Sequence, residues 1–277
     1  MISSRFLRQS LLLLFLLIAA ACAITRYQPK YQPEVNQPGK DVVWWPTAQV
    51  VVNKMLDLAK VTPEDYVIDL GSGDGRTVIT ASKRGARALG IEHNPDMVVL
   101  SKHNAAKEGV GERAQFVQGD LFESDFSQAT VITMFLSESI NHTLRPRILN
   151  LKPGTRVVSN SFTMGEWTAD ETVTVEHTKE CRPYCTVYLW VVPANVDGVW
   201  GLLQSELTLR QHFQRFSGTL KSGADTAPVT NGNLSGDLIS FSVGDANYDG
   251  RVSGSTMQGT FQSPGSTAQW EATRVGK

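Results

Sequence analysis

Little in this chain suggests a scaffold held by cross-links or a partner rich in phosphate. Three cysteines in 277 residues are too few for a disulfide-built fold. Lys and Arg number 26 against 27 Asp and Glu, which leaves a net charge of −1. No basic run or basic-aromatic stripe is present to neutralise phosphates, so nucleic acid is not an expected partner. Long apolar runs are scarce too. The one from Leu11 to Cys22 falls short of the ~20 residues of a spanning helix. What the chain has is length: 277 residues bury a proper core in one large domain or two moderate ones.

The N-terminus reads as a targeting segment rather than as part of the fold. Arg5 and Arg8 precede the Leu-rich run, and Ala19-Ala20-Ala21-Cys22 closes it. A positive start, a short apolar stretch and small residues before a cut make a secretory signal. The last four residues resemble a lipoprotein cleavage box, with Cys22 as the lipidated first residue of the mature protein. Ordinary cleavage nearby and an uncleaved hydrophobic anchor remain the alternatives. Gln28-Pro29, Gln32-Pro33 and Gln37-Pro38 then read as an extended spacer. The expected organisation is a signal over 1–22, a linker over 23–40, an α/β domain over 41–195 and a β-rich domain over 196–277.

The densest chemistry lies in Val67-Ile68-Asp69-Leu70-Gly71-Ser72-Gly73-Asp74-Gly75-Arg76. Apolar residues ending in an acid predict the tip of a buried parallel strand, and Thr77 to Ala81 begin a helical pattern. The three glycines between them allow positive φ and a close approach of backbone to ligand. A strand, a glycine turn and a helix open a doubly wound sheet, where ligands bind beyond the strand ends. The spacing G-x-G-x-G, with an acid just before it, differs from the G-x-G-x-x-G of dinucleotide folds. A pyrophosphate at the helix N-terminus would be repelled by Asp69. A ligand with a cationic amino-acid end suits it, and S-adenosylmethionine is one.

Further acids follow at strand tips. Ala86 to Ile91 predicts a second strand ending in Glu92, about 20 residues after the turn, where mononucleotide-binding halves hold a ribose diol. Asn94-Pro95 is an N-cap with proline in the first helical position. The helix runs to about Glu108 and stops at Gly109. Ala114 to Gln118 predicts the next strand, and Asp120 just past it suits the exocyclic amine of an adenine. Ala129 to Leu136 is a buried β-branched run. Arg156–Ser161, Thr172–His177 and Thr186–Val192 complete an alternating α/β order.

From Asp41 to about Pro193 the chain resembles a class I S-adenosylmethionine-dependent methyltransferase. The nearer match is to the branch of the ATP synthase c-subunit lysine N-methyltransferases and their bacterial relatives. The residues that carry it are Pro46-Thr47, Met55-Leu56, Asp69 to Arg76, Gly90 to Pro95 and Asp120-Leu121-Phe122, followed by Asn141, Leu144-Arg145-Pro146, Leu151 to Ser159 and Phe162 to Trp167. The resemblance implies a Rossmann-like sheet with helices on both faces and S-adenosylmethionine as cofactor. It implies that Asp69, Gly71 and Gly73 surround the methionine end, that Glu92 binds the ribose and that Asp120 lies near the adenine. Thr47 and Ser72 count as cofactor-binding positions with them. A protein acceptor, methylated on lysine or another amine, is the implied partner.

One segment departs from the pattern. Where the family tends to show an aromatic-Leu-Leu-Pro segment beside the transfer site, this chain has Phe135-Leu136-Ser137-Glu138. Methyl transfer needs an aligned nucleophile in a pocket dry enough to keep an amine neutral, and no triad. Phe135, Trp44 and Trp45 could wall such a pocket, while Glu138 could hydrogen-bond an incoming amine. The bland readings are packing for the Trp pair and an exposed acid for Glu138.

Cys181 and Cys185 flank Arg182-Pro183-Tyr184 at an expected hairpin, as a local disulfide or as two free thiols. No neighbouring Cys or His completes a metal set. Beyond Pro193, Gly, Ser and Thr with period-two runs predict an antiparallel meander or small barrel of about six strands. Asp245 to Gly250 imitates a calcium loop, but Thr256 stands where the bidentate Glu belongs, so a hairpin turn is expected. The leader points to the bacterial envelope and the cofactor to the cytoplasm. An anchored enzyme with a cytoplasmic catalytic domain is therefore the alternative location. A non-catalytic envelope lipoprotein on a relict nucleotide fold is the alternative function.

Overall fold

The computed structural model describes residues 31–176 and 179–276. Cys22, the rest of the expected leader, the first Gln-Pro repeat and His177 lie outside them. Among the described residues no helix is long and apolar enough to cross a membrane.

The first half is a seven-stranded sheet in the order β3-β2-β1-β4-β5-β7-β6. β1 (Tyr66–Leu70), β2 (Arg87–Glu92), β3 (Ala114–Gln118), β4 (Val131–Met134) and β5 (Arg156–Asn160) pair in parallel. β7 (Thr186–Val191) lies antiparallel between β5 and β6 (Glu171–Thr174). Every residue of β4 is buried, as its unbroken apolar pattern predicts for a central strand.

Helices cover both faces. α1 (Gln49–Leu58), α2 (Arg76–Lys83) and α3 (Pro95–Lys107) lie on one, where Val51, Val52, Met55 and Val78 are fully or almost fully buried. α4 (Glu138–Leu149) packs Ile140, Leu144 and Ile148 on the other, with Phe126 and Trp167. Asn94 caps α3, its side chain accepting from the N–H of Asp96 at 2.9 Å, which contributes about 1 kcal/mol. The strand order reverses between β1 and β4, so the crevice beyond their C-terminal ends is where a ligand belongs.

The second half is a closed antiparallel barrel of β8 (Gly198–Leu202), β9 (Ser205–His212), β10 (Arg215–Ser222), β11 (Asp225–Ser235), β12 (Leu238–Val243), β13 (Ala246–Ser253), β14 (Thr256–Ser263) and β15 (Ser266–Gly276). The expected count of about six strands is thus corrected to eight. The runs Leu234–Phe241 and Gly250–Met257, short enough to read as single strands, each contain a two-residue hairpin, at Gly236-Asp237 and Gly254-Ser255. Gly244-Asp245 is a hairpin turn between β12 and β13, as expected for the calcium-loop imitation.

Leu207, Leu209, Phe241, Met257 and the Trp200 and Trp270 rings fill the barrel. It abuts the sheet domain where Phe213 stacks on Trp167 at 5.9 Å and Gln214 donates to the Thr168 carbonyl at 2.7 Å. Of the two readings for the remaining cysteines, the structure has the disulfide: Cys181 and Cys185 are joined across the β6–β7 hairpin with Cα atoms 5.0 Å apart.

Candidate active site

The glycine turn is held to β2 by its own backbone. The N–H groups of Gly71 and Ser72 donate to the Ile91 carbonyl at 2.9 and 3.1 Å. Gly73 has φ +53°, and a Cβ there would sit 2.8 Å from the Trp44 indole nitrogen, so glycine both permits the turn and leaves room for that ring. Its N–H donates to Glu92 Oε2 at 2.9 Å, and the N–H of Asn94 donates to Oε1 at the same distance. Glu92 is thereby fixed between the turn and the cap of α3.

Asp69, next to last in β1, is 6% exposed and accepts from Thr133 Oγ1 at 2.6 Å. Burial pushes its carboxyl up to about 7, the Glu92 and Asp74 carboxylates add to this, and the Thr133 bond opposes it. Asp74 is paired with Arg76 at 2.6 Å, and Arg76 also donates to the Thr47 carbonyl at 2.8 Å. Among the described residues Asp69 has no cationic partner.

The last part of the expected linker is drawn into the site. The chain turns at Glu34–Gln37, and the N–H groups of Asn36 and Trp44 bond across it to Trp44 and Gln37 carbonyls. Gln37 to Thr47 then border the cleft together with the glycine turn, Glu92, Asp120 and Phe135. Lys40 in this strap forms an ion pair with Asp120, whose other oxygen accepts from the Phe122 N–H at 2.9 Å. The Lys40 ammonium and that N–H hold the Asp120 carboxyl below its usual range.

All seven positions expected to bind cofactor thus border one cleft. Ser72 Oγ is buried without a partner, tucked where a Cβ on Gly90 would come within 2.4 Å. Trp44 covers Gly73, and Trp45 meets Tyr184 edge-on at 5.6 Å. Phe135 stacks on Phe162 at 5.9 Å and meets Tyr184 at 5.1 Å, which makes an aromatic cluster that borders the cleft at Phe135 and Trp45. Glu138 does not border the cleft: it is exposed at the start of α4 and accepts from Thr163 Oγ1 at 2.7 Å. Ser137 caps that helix, accepting from the Ile140 N–H at 3.3 Å, which gives the departing segment a structural purpose. Sequence reasoning did not place Phe162 or Tyr184 in the site. The two cysteines bracketing Tyr184 were the available signal that its position is fixed.

The donor set fits S-adenosylmethionine. A buried carboxylate without a cation would receive the ammonium of the methionine end, Glu92 the ribose hydroxyls and Asp120 the adenine side. The sheet order and this cleft at its switch point define a class I S-adenosylmethionine-dependent methyltransferase.

Comparison with known proteins agrees. Residues 69–171 match the ANTKMT methyltransferase domain. A protein-lysine N-methyltransferase of Saccharolobus islandicus is 44% identical over 154 residues, which is 54% of this chain and 94% of that protein. The rat enzyme that methylates lysine of the ATP synthase c-subunit is 37% identical over 107 residues, 38% of this chain and 50% of its own length. Among solved structures, an RNA methyltransferase from Salinibacter ruber in complex with S-adenosyl-L-homocysteine is 47% identical. Its TM-score is 0.51, and the match covers 55% of this chain and 96% of that one. The chain belongs to the ANTKMT-type family of S-adenosylmethionine-dependent methyltransferases, the family of the ATP synthase c-subunit enzymes.

Proposed function

We propose that this enzyme methylates a lysine side chain of a protein acceptor. The aromatic cluster of Trp45, Phe135, Phe162 and Tyr184 carries the reading, because it adjoins the cofactor cleft at Phe135 and Trp45. A lysine stem is apolar and its head basic. Ring walls receive the stem, exclude water and so favour the neutral amine, while ring faces stabilise the methylated cation that forms. In the transfer the amine nitrogen takes the methyl carbon as the sulfonium C–S bond breaks, and the amine proton passes to solvent. Binding and alignment are what this chain's residues supply.

The lysine-methylating relatives support the same acceptor class. An RNA acceptor, as in the name of the Salinibacter ruber protein, finds no support in a chain of net charge −1 without a basic stripe. The leader and the Cys181–Cys185 bond together support an envelope location, since disulfides persist in oxidising compartments.

Cell fractions incubated with enzyme and a tritiated methyl donor test the reading. Label on lysine of an envelope protein is expected. Label on RNA alone, or none on any protein while S-adenosylhomocysteine still binds, would overturn it.

A further inference from the structure

The aromatic residues on the acceptor side of the site come from four separate segments. Trp45 comes from the strap, Phe135 from the end of β4 and Phe162 from the loop after β5. Tyr184 comes from the β6–β7 hairpin, next to Cys185, and touches all three, at centroid distances of 5.6, 5.1 and 6.1 Å. The last backbone bond of that hairpin before its tip runs from the Val175 N–H to the Cys185 carbonyl at 2.9 Å. Beyond it, the chain that carries Tyr184 is closed on itself by the bond between Cys181 and Cys185.

Both cysteines are buried in the core cluster that holds Val51, Val52 and Met55 of α1 and Val187 of β7. Arg182 and Pro183, between them, are exposed. The cross-link therefore pins the backbone on either side of Tyr184 to the core and leaves the ring only its side-chain torsions.

We propose that Tyr184 is an acceptor-positioning residue and that the Cys181–Cys185 disulfide holds it in place. The aromatic cluster then holds the acceptor firmly in the oxidised state and loosely when the bond is reduced. Reduction is written with a dithiol: two electrons and two protons pass to the disulfide, giving two thiols, as the dithiol becomes a cyclic disulfide. This inference rests on the lysine reading above and extends it to the residue that sets acceptor affinity.

It differs from a stabilising role in what it predicts. A cross-link that only stabilised the fold would affect cofactor and acceptor alike, or neither. A cross-link acting through Tyr184 moves the acceptor KM and spares cofactor affinity, because among the described residues the hydrogen bonds of Asp69, Glu92 and Asp120 go to groups outside the hairpin.

The test uses the full chain with two probes. One is N-acetyl-lysine methylamide as acceptor, with tritiated methyl donor. The other is S-adenosylhomocysteine, measured by calorimetry. In the oxidised protein, Tyr184→Ala is expected to raise the acceptor KM about fivefold to tenfold, the size of lost aromatic wall contacts, with kcat and S-adenosylhomocysteine affinity within about twofold. Tyr184→Phe should behave as wild type.

The Cys181→Ser/Cys185→Ser double variant, and wild type treated with dithiothreitol, should match Tyr184→Ala. Dithiothreitol added to Tyr184→Ala should then do nothing further. An unchanged KM on reduction, or a full extra effect in Tyr184→Ala, would overturn the inference. Loss of S-adenosylhomocysteine binding in the double variant would do the same, since it would show a fold-wide role.

Fluorine NMR of 3-fluorotyrosine at position 184 separates this idea from the lysine reading. A resonance that shifts on reduction in a protein that ignores the lysine probe sinks only the lysine reading. A resonance that does not shift sinks the proposed lock.

Discussion

At the cleft edge a side chain on Gly71, Gly73 or Gly75 would run into Leu136, Trp44 or Phe116, whereas Gly223, Gly244, Gly254 and Gly265 at the barrel's hairpin tips face open space. Both sets have positive φ. At its hairpin tips the barrel uses these glycines to turn; the cleft uses its own to turn and to leave room. Polar groups divide in the same way. The barrel's Trp200 and Trp270 indoles donate to the carbonyls of Val196 and Asp249 at 2.9 and 3.1 Å, so its interior is complete. The cleft buries Asp69 without a cation and Ser72 Oγ without a partner. One half is finished by its own residues, and the other is shaped for something to arrive.

The largest expected effect breaks the halves apart by stability. Trp200 is fully buried, and Trp200→Ala should cost about 3–5 kcal/mol in urea unfolding. Its S-adenosylhomocysteine affinity, measured by calorimetry on the folded fraction, should stay at the wild-type value. A matched loss of affinity would show that the cleft depends on the barrel's core.

Next comes Asp69→Asn, which keeps an acceptor for Thr133 and removes the charge. Loss of a charged hydrogen bond should weaken S-adenosylhomocysteine by about 1.5–3 kcal/mol. The ligand-free variant should nevertheless melt higher than wild type at pH 8, since an ionised carboxylate is no longer buried alone. Lower melting together with intact affinity would make Asp69 a structural acid.

The pH dependence sharpens the same point. Asp69 is raised from 3.8 to about 7 in the folded, ligand-free protein, so the folded state holds a proton that the unfolded chain has released. Its contribution to stability is fully present at low pH and is lost as pH rises through about 7. Binding of a cationic ligand expels that proton. Affinity should therefore fall by up to about tenfold per pH unit below 7 and level off above it. Calorimetry from pH 5.5 to 8.5 reads this directly, and a flat profile would contradict it.

What was legible in the sequence follows from range. The β1–turn–α2 unit, the Asn94 cap and the strand-tip acids Glu92 and Asp120 are written in neighbouring residues, and the structure reproduces those elements where periodicity and caps put them. The barrel's closure was legible as a class and not as a count, because turns of only two residues, Gly236-Asp237 and Gly254-Ser255, divide stretches short enough to read as single strands. The partners of the site were not legible. Thr133 reaches Asp69 from a strand 64 positions away, Lys40 reaches Asp120 across 80, and Tyr184 reaches Phe135 from a hairpin on the far side of β5. No local pattern encodes such meetings.

The smallest effects come from one substitution made in both halves. Gly73→Ala and Gly244→Ala each force alanine to positive φ, +53° and +54°, at a similar backbone cost of about 1–2 kcal/mol. Their thermal shifts should therefore be alike. At Gly244 the new methyl group meets nothing, and S-adenosylhomocysteine affinity should not change. At Gly73 it meets the Trp44 indole, which is the free end of a side chain and can swing aside. The fold survives that movement, but the cleft loses its wall over the glycine turn. Affinity should drop while the melting point matches that of Gly244→Ala. Equal affinities in the two variants would mean that Trp44 packs the strap and takes no part in covering the cofactor.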